Sequence, residues 1–461
     1  LCLGASQIRA QDPQQGGEPP KPPAKVYGPI GVDDQDQGQQ QPDQLQPDTH
    51  SLTGLLQPTT GSSMERHSYW VPGISYTNFI QSNGEVQGGG TGWNSTNYLT
   101  GDLTLVENWS RSQLLLNYSG GGEFSTDSRV GNGWFTMLNI RQTFQWERLQ
   151  LTLFDAFQYL PQTLFGFGAG TPLGQAGVGG TLGGGTTGLV PGYFPGQTIF
   201  SASGPRSVNT AGVELNYRLT PRSSITLAGI YGILRFTDPG NVDNDSYIGT
   251  AGYNYEITRN NTIGAVYRYN AYHYLDNPQA VGDQMIQAAF GRKITGRLAL
   301  QLTAGPEITN YRLPPEGSTK TQFVTGTGSA YLTYAFARGG VTTGYFHGVT
   351  SGSGVFVGAI TDTFTVSGTR KLTRVWTGEA HLGYAHNKNS ETFGSVTTTS
   401  YNSLYGGASL MRPLGRNGNF SVGYSAYVEN ATCAAANCGS SFTTNLISIG
   451  LSWHTHPFVL R

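Results

Sequence analysis

The ionisable side chains of this sequence are few, and their placement argues against catalysis. Asp, Glu, Lys and Arg make up 12% of 461 residues, about half the share usual in soluble proteins. Nucleophilic hydrolysis needs a Ser-His-acid set or paired acids held in fixed geometry. The eight histidines are instead scattered. His381 and His386 fall on opposite faces of one alternating segment, and His454 and His456 lie near the C-terminus. Neither a nucleophile elbow nor a zinc-binding helix motif occurs. Gly183-Gly184-Gly185 lacks the Lys-Ser/Thr that a phosphate loop requires. The expectation is a protein that is not an enzyme and has no cofactor, no catalytic residues and no metal site. A formal net charge of -1 gives no reason to expect a nucleic-acid partner.

Charge recurs instead on the polar side of alternating segments. Within 211–219, Ala211, Val213, Leu215, Tyr217 and Leu219 share one face, and Gly212, Glu214, Asn216 and Arg218 share the other. This is the period-2 pattern of a strand. Leu298, Leu300, Leu302 and Ala304 stand against Gln301, Thr303 and Glu307 in the same way, and Ala380, Leu382 and Tyr384 against Thr377, Glu379 and His381. Arg141, Glu256 and Arg268 follow the same alternation. If the polar faces enclose water, the candidate lumen-lining residues are Arg141, Glu214, Arg218, Glu256, Arg268, Glu307, Glu379 and His381. Their signs are mixed, so no strong net field is expected.

Such segments follow one another from about Ile74 to the C-terminus, giving about 18 strands, within a range of about 16–18. Tight connections at 110–112, 147–148, 220–223, 259–260, 295–296, 338–339, 372–373 and 413–418 alternate with longer ones, among them 161–206, 237–244, 275–283, 312–322, 388–400 and 430–441. Sandwiches mix their connections without this regularity, whereas outer-membrane barrels have short periplasmic turns and long external loops. Arg or Lys lies in or beside every tight turn, as at Arg111, Arg148, Arg222, Arg259 and Arg338. Several longer loops are acidic, with Asp238, Asp243, Asp245, Asp276 and Asp283. Trp109, Trp146, Tyr217, Trp376 and Trp453 near strand ends suit interfacial girdles.

Composition agrees. Hydrophobic residues are only 37%, and no run of about 20 apolar residues exists, which excludes a bundle of membrane helices. A barrel that alternates lipid-facing and water-facing residues averages to this middling value. Residues 1–10 read as the remnant of a signal peptide, with Ile8-Arg9-Ala10 before the cleavage point. Residues 11–65 are rich in Pro, Gln, Asp and Gly and are expected to form a flexible, disordered periplasmic extension; a periplasmic partner could dock there. The barrel is assigned to 66–461. Cys433 and Cys438 flank four small or polar residues, a spacing that suits a local disulfide in an oxidising compartment.

The expected fold is therefore all-β, a transmembrane antiparallel up-and-down β-barrel in the bacterial outer membrane, with outer-membrane lipid and lipopolysaccharide as its surroundings. Ser448-Ile449-Gly450-Leu451-Ser452-Trp453 resembles the insertion signal in the last strand of outer-membrane barrels, although the chain runs on past it to Arg461. The architecture from about 74 to 453 resembles the general porins, whose third external loop folds into the lumen and narrows it. That resemblance implies trimers, hence a homo-oligomer, and a channel for passive diffusion of small hydrophilic solutes. The segment 161–206 occupies the third-loop position. From Pro161 through Pro205 it contains no Asp, Glu, Lys, Arg or His. As a constriction it would sieve by size and wetting, pinned by Phe165, Phe167, Tyr193 and Phe194; otherwise it is an external loop packed on its neighbours or partly disordered. Two alternatives stay open: a structural or anchoring barrel with a blocked lumen that binds other envelope or surface proteins, and a channel for apolar compounds.

Overall fold

The computed structural model describes residues 51–54, 68–82, 92–126, 132–160, 205–237, 240–275, 277–314, 319–352, 354, 356–389, 398–433 and 442–459. Alternation of apolar and polar residues makes each segment a strand, and short basic turns join them in pairs. In chain order the strands are β1 (Tyr69–Ser82), β2 (Trp93–Asn108), β3 (Ser112–Ser125), β4 (Asn132–Gln145), β5 (Leu149–Leu160) and β6 (Arg206–Thr220). There follow β7 (Ser223–Phe236), β8 (Asn244–Thr258), β9 (Asn261–Tyr274), β10 (Ala280–Lys293), β11 (Leu298–Tyr311) and β12 (Gln322–Phe336). The remainder are β13 (Gly339–Thr350), β14 (Ala359–Lys371), β15 (Thr377–Asn389), β16 (Thr398–Leu414), β17 (Gly418–Cys433), β18 (Phe442–His454) and the two-residue β19 (Phe458–Val459).

From β1 to β18 every neighbour in sequence is a neighbour in the sheet, all pairings are antiparallel, and β1 also pairs with β18. Eighteen strands thus close into one up-and-down barrel. The closing register runs from Gly73 opposite His454 to Gln81 opposite Leu446. β19 extends the closure, pairing Tyr69 with Val459 and Trp70 with Phe458, and the Trp70 and Phe458 rings stack at 4.8 Å.

The two faces of the sheet differ in chemistry. Outward positions carry large apolar side chains exposed on the barrel surface, among them Leu99, Leu227, Ile286, Val324, Leu382 and Leu451. Near the turn end Trp109, Trp146, Tyr217 and Trp453 are exposed, and the Arg412 guanidinium lies 5.7 Å above the Trp376 ring. Near the loop end, outward tyrosines donate hydrogen bonds to polar residues of the next strand: Tyr76 to Asn97 (2.6 Å), Tyr345 to Asp362 (2.8 Å), Tyr384 to Asn402 (3.0 Å) and Tyr424 to Asn445 (2.8 Å). Two amphipathic girdles therefore bracket an apolar band, as a bilayer requires.

Strand limits depart from the alternation at several ends, of which β1, the acidic starts of β8 and β10, and β14 bear on the site. β1 begins at Tyr69 rather than near Ile74. Pro72 removes a donor and hides the strand start, but its carbonyl still accepts from Thr455 N at 3.1 Å. Asp245 and Asp283, expected in loops, belong to β8 and β10. The strands rise past the apolar band, where polar residues can occupy either face; Asp245 there pairs with Arg235 at 2.6 Å on the outer surface. β14 begins at Ala359 rather than 356, because the preceding residues leave the sheet.

The seam where β18 meets β1 depends on one small residue. The His454 imidazole and the Asp102 carboxylate approach to 2.8 Å, both almost fully buried inside the barrel, in a contact not aligned as a hydrogen bond. They meet over Gly73: a Cβ there would lie 2.3 Å from Asp102 Oδ2 and from His454 Cδ2. We predict that Gly73→Val destabilises the folded barrel by about 1–3 kcal/mol, the usual cost of overpacking. Gly249→Ala, which meets nothing within 4 Å, should leave it unchanged. Urea titration followed by the gel mobility shift of folded barrel checks both; equal midpoints would sink the idea.

Candidate functional site

The inward faces build the site. Strand alternation points all eight candidate residues into the barrel, since their neighbours Val213, Tyr217, Tyr255, Tyr267, Leu302 and Leu382 are exposed outward. They do not gather into one ring. Arg218 and Glu256 sit at the turn end. Arg141 and Glu214 interact electrostatically across β5. Arg268 and Glu307 lie deeper, both buried, and Glu379 and His381 stand on β15.

Other inward charged groups escaped the sequence reading: Asp102, Glu123, Arg206, Asp283, Glu429 and His454, all buried. Alternation alone could have found Glu429, two residues from inward Tyr427. Two of these carboxylates meet local donors, as burial demands. Asp283 accepts from Asn270 at 3.0 Å. Glu429 accepts from Tyr427 and, at 3.3 Å, from Ser403. An aromatic cluster of Phe79, Tyr98, Phe135, Tyr405 and Tyr427 covers the inner wall on the β1–β4 and β15–β17 side, with Leu160 packed against it.

At the loop end, the connection between β13 and β14 crosses the mouth. Ladder pairing between β12 and β13 ends at Gly328 opposite His347, while β13 and β14 stay paired to Thr350 opposite Ala359. The tip of this hairpin thus leaves β12. The Glu307 carboxylate accepts from Val349 N at 3.1 Å and from Thr325 at 3.2 Å, replacing the ladder partner that Val349 has lost. Beyond the strands, Gly352, Gly354 and Gly358 take positive φ, which an L side chain resists. Val242, in the β7–β8 connection, donates to Gly354 O at 2.7 Å. Tyr274 OH donates to Ser351 O at 3.1 Å. Phe356, buried, packs on inward-facing Tyr401 of β16 with ring centroids 5.3 Å apart. One connection therefore touches the β7–β8 side and the β16 side, nearly opposite each other in an 18-strand ring. The described residues of this connection carry no ionisable group.

The expected constriction residues Phe165, Phe167, Tyr193 and Phe194 lie outside the described residues, as does Cys438; Cys433 ends β17. Nothing in the alternation marked 351–358 as special. A Gly at every second position around one Phe was the available signal.

At the turn end the lumen opens into a vestibule of about 520 Å³. Arg148, Arg218, Arg222, Arg259, Arg292 and Lys293 line it against Glu147 and Glu256, and Ser51 and Leu52 form part of its inner wall. Of the 11–65 segment, expected to be flexible and periplasmic, Ser51–Gly54 is described, and it lies inside the barrel.

A closed strand ring with an apolar exterior, two aromatic girdles and a polar interior defines a transmembrane β-barrel of the bacterial outer membrane, because only helices and closed barrels satisfy their backbone in lipid. Among the described residues no helix is long and apolar enough to cross a membrane. No family model matches the sequence, and no curated protein matches it. Among solved structures the chain is similar to Pseudomonas aeruginosa OpdQ, with 9% identity, a TM-score of 0.42, and 85% of this chain and 98% of that one covered. It is similar to the P. aeruginosa outer membrane protein OpdK at 9% identity and TM-score 0.42, covering 88% and 100%. Acinetobacter baumannii OccAB3 gives 9% identity and TM-score 0.39, covering 85% and 99%. The assignment above rests on this chain's own strand pairing and faces.

Glu307 holds Val349 N at the base of the crossing connection. Glu307→Ala should leave Val349 N buried without an acceptor, a loss of about 1–3 kcal/mol. Amide hydrogen exchange across 349–356 should then rise by about tenfold or more, whereas Glu307→Gln, which keeps an acceptor oxygen, should stay near the parent. Unchanged exchange in both variants would show that other contacts hold the connection.

Proposed function

We propose that this barrel is an outer-membrane channel for passive diffusion of small hydrophilic solutes. The observation that carries the reading is the polar inward face of a closed 18-strand ring, with acid, amide and hydroxyl side chains from Asp102 to Glu429 turned away from lipid. An interior of this kind holds water, whereas lipid-facing positions hold none. Mixed signs on the wall imply weak ion selectivity. Lipid and lipopolysaccharide would surround the outer girdle. The segment 161–206, uncharged from Pro161 through Pro205, would add a second neutral narrowing beside the crossing connection. The test is conductance of the purified full chain in planar bilayers. A steady open-state current is expected, and deleting roughly residues 168–190 should raise it while leaving the cation-to-anion ratio nearly unchanged. If the deletion left conductance at its original value, the segment would lie outside the pore.

A second reading has support of its own. A connection across one mouth and a peptide turn inside the other are what a blocked, anchoring barrel would show. Absence of current from folded protein would favour it. The inward aromatic cluster suits solutes with an apolar face, and liposome-swelling rates for aromatic acids against sugars of similar size separate that case.

The oxidised form of the last external loop is part of the same proposal. Joined, Cys433 and Cys438 would close a small ring worth about 2 kcal/mol. Mass spectrometry of protein isolated without reductant should find them linked; two free thiols would refute the bond.

A further inference from the structure

Ser51–Gly54 precedes β1 in the chain yet docks on the inner wall of strands β7 to β11. The four residues form a turn closed by Gly54 N donating to Ser51 O at 2.9 Å. Asn254 binds this turn with both ends of its carboxamide. Its Oδ1 accepts from Thr53 N at 3.1 Å, and its Nδ2 donates to Ser51 Oγ at 2.8 Å. Ser51 Oγ also meets Thr226 Oγ1, and Gln301 Nε2 donates to Leu52 O at 3.1 Å. Thr53 is 4% exposed, so the contact removes it from water.

The wall is shaped for this turn. A Cβ on Gly252 would lie 2.3 Å from Thr53 Oγ1, and one on Gly264 would lie 2.9 Å from Thr53 Cγ2. Gly291 faces Leu52, whose Cγ is 3.9 Å from where its Cβ would be. Three inward positions on neighbouring strands β8, β9 and β10 thus lack side chains where the turn sits. Behind it Thr226 donates to Asn216 at 2.7 Å and Asn216 to Glu214 at 2.8 Å. The hydroxyl and amide groups that hold the turn are therefore oriented by a second layer. The sequence leading to Ser51 carries Asp33, Asp34, Asp36, Asp43 and Asp48, with no Lys or Arg from 26 to 65. Its sign is the one that the cationic vestibule attracts.

We propose that the glycine-lined cradle of β8–β10 is a binding site for a short, neutral, hydroxyl-bearing peptide turn, supplied in cis by Ser51–Gly54, which plugs the lumen from the turn end. The effect on passage rests on the channel reading; the docking does not. Hydrogen bonds of this kind are individually modest in net strength, so the plug is held reversibly.

The test uses the full chain with Leu52→Cys and Gly291→Cys, folded in outer-membrane vesicles. Tryptic mass spectrometry should find residues 52 and 291 joined by a disulfide, and a control pairing Leu52→Cys with Thr96→Cys on distant β2 should give none. In planar bilayers, deletion of 51–54 should raise single-channel conductance above the parent, and the cross-linked form should stay at or below it until reduced. Failure of 52 and 291 to cross-link in folded protein would overturn the docking. Cross-linking with unchanged conductance in the deletion would overturn the plug while leaving a channel. No current from any form, with the cross-link present, would count against the channel reading and still support the docked turn.

Discussion

Backbone satisfaction in hydrocarbon is the constraint from which the rest of this structure follows. A strand edge facing lipid leaves a row of N–H and C=O groups that nothing can bond, and each costs several kcal/mol. Antiparallel pairing removes that cost only if the last strand returns to the first. Here the return is made by β18 on β1 and prolonged by β19. Close packing at the seam then decides side chains. Gly73 must be small because Asp102 and His454 meet above it, and both belong to strands that flank β1. A requirement on the backbone has become a requirement on three residues distant in sequence.

Closure also divides the chemistry. With period 2 fixed, each strand gives one side chain to lipid and the next to the lumen. Polar groups on the inner side still lose much of their water, so they are bonded in short local sets. Asp283 with Asn270, Glu429 with Tyr427 and Ser403, and Glu214 with Asn216 are such sets. Glu307 shows the same economy used for shape. Where β13 parts from β12, one backbone N–H would be orphaned, and a carboxylate from the strand beyond takes it. The loss of ladder pairing is tolerated because a side chain substitutes for it, and that substitution lets a connection lean into the mouth.

This logic separates what the sequence displays from what it hides. Alternation in 211–219 or 298–304 shows both the strand and its inward side, since each residue reports on its own face. Strand number and the rhythm of turns and loops follow in the same way. Asp245 and Asp283 were misplaced because an acid beyond the apolar band looks the same in a strand as in a loop. The crossing connection at 351–358, the Asp102–His454 contact and the docked Ser51–Gly54 turn rest on meetings between parts far apart in the chain. Glycines at 252, 264 and 291 look like ordinary strand breakers until the turn that fills their space is known. A polar, glycine-rich segment before the strands carries no periodic signal, so its composition reads as flexible even where four of its residues find a fitted wall.

The two obstructions share a chemistry that the walls do not. The described residues of 351–358 and the turn 51–54 carry no ionisable group, and both are held by backbone amides, carbonyls and small hydroxyls. The walls carry acids and bases, most of them engaged with near neighbours. A neutral obstruction narrows the lumen without adding a fixed charge, so it forms no Coulombic barrier in a low-dielectric annulus where one would be strong. Where opposite charges face each other, as Arg141 and Glu214 do across β5, they present a dipole rather than a monopole, whose field decays faster within the lumen. The turn-end vestibule, with its excess of Arg and Lys over Glu147 and Glu256, keeps an unbalanced field. In the proposed channel, sign discrimination would thereby be concentrated outside the narrow parts, and size discrimination within them.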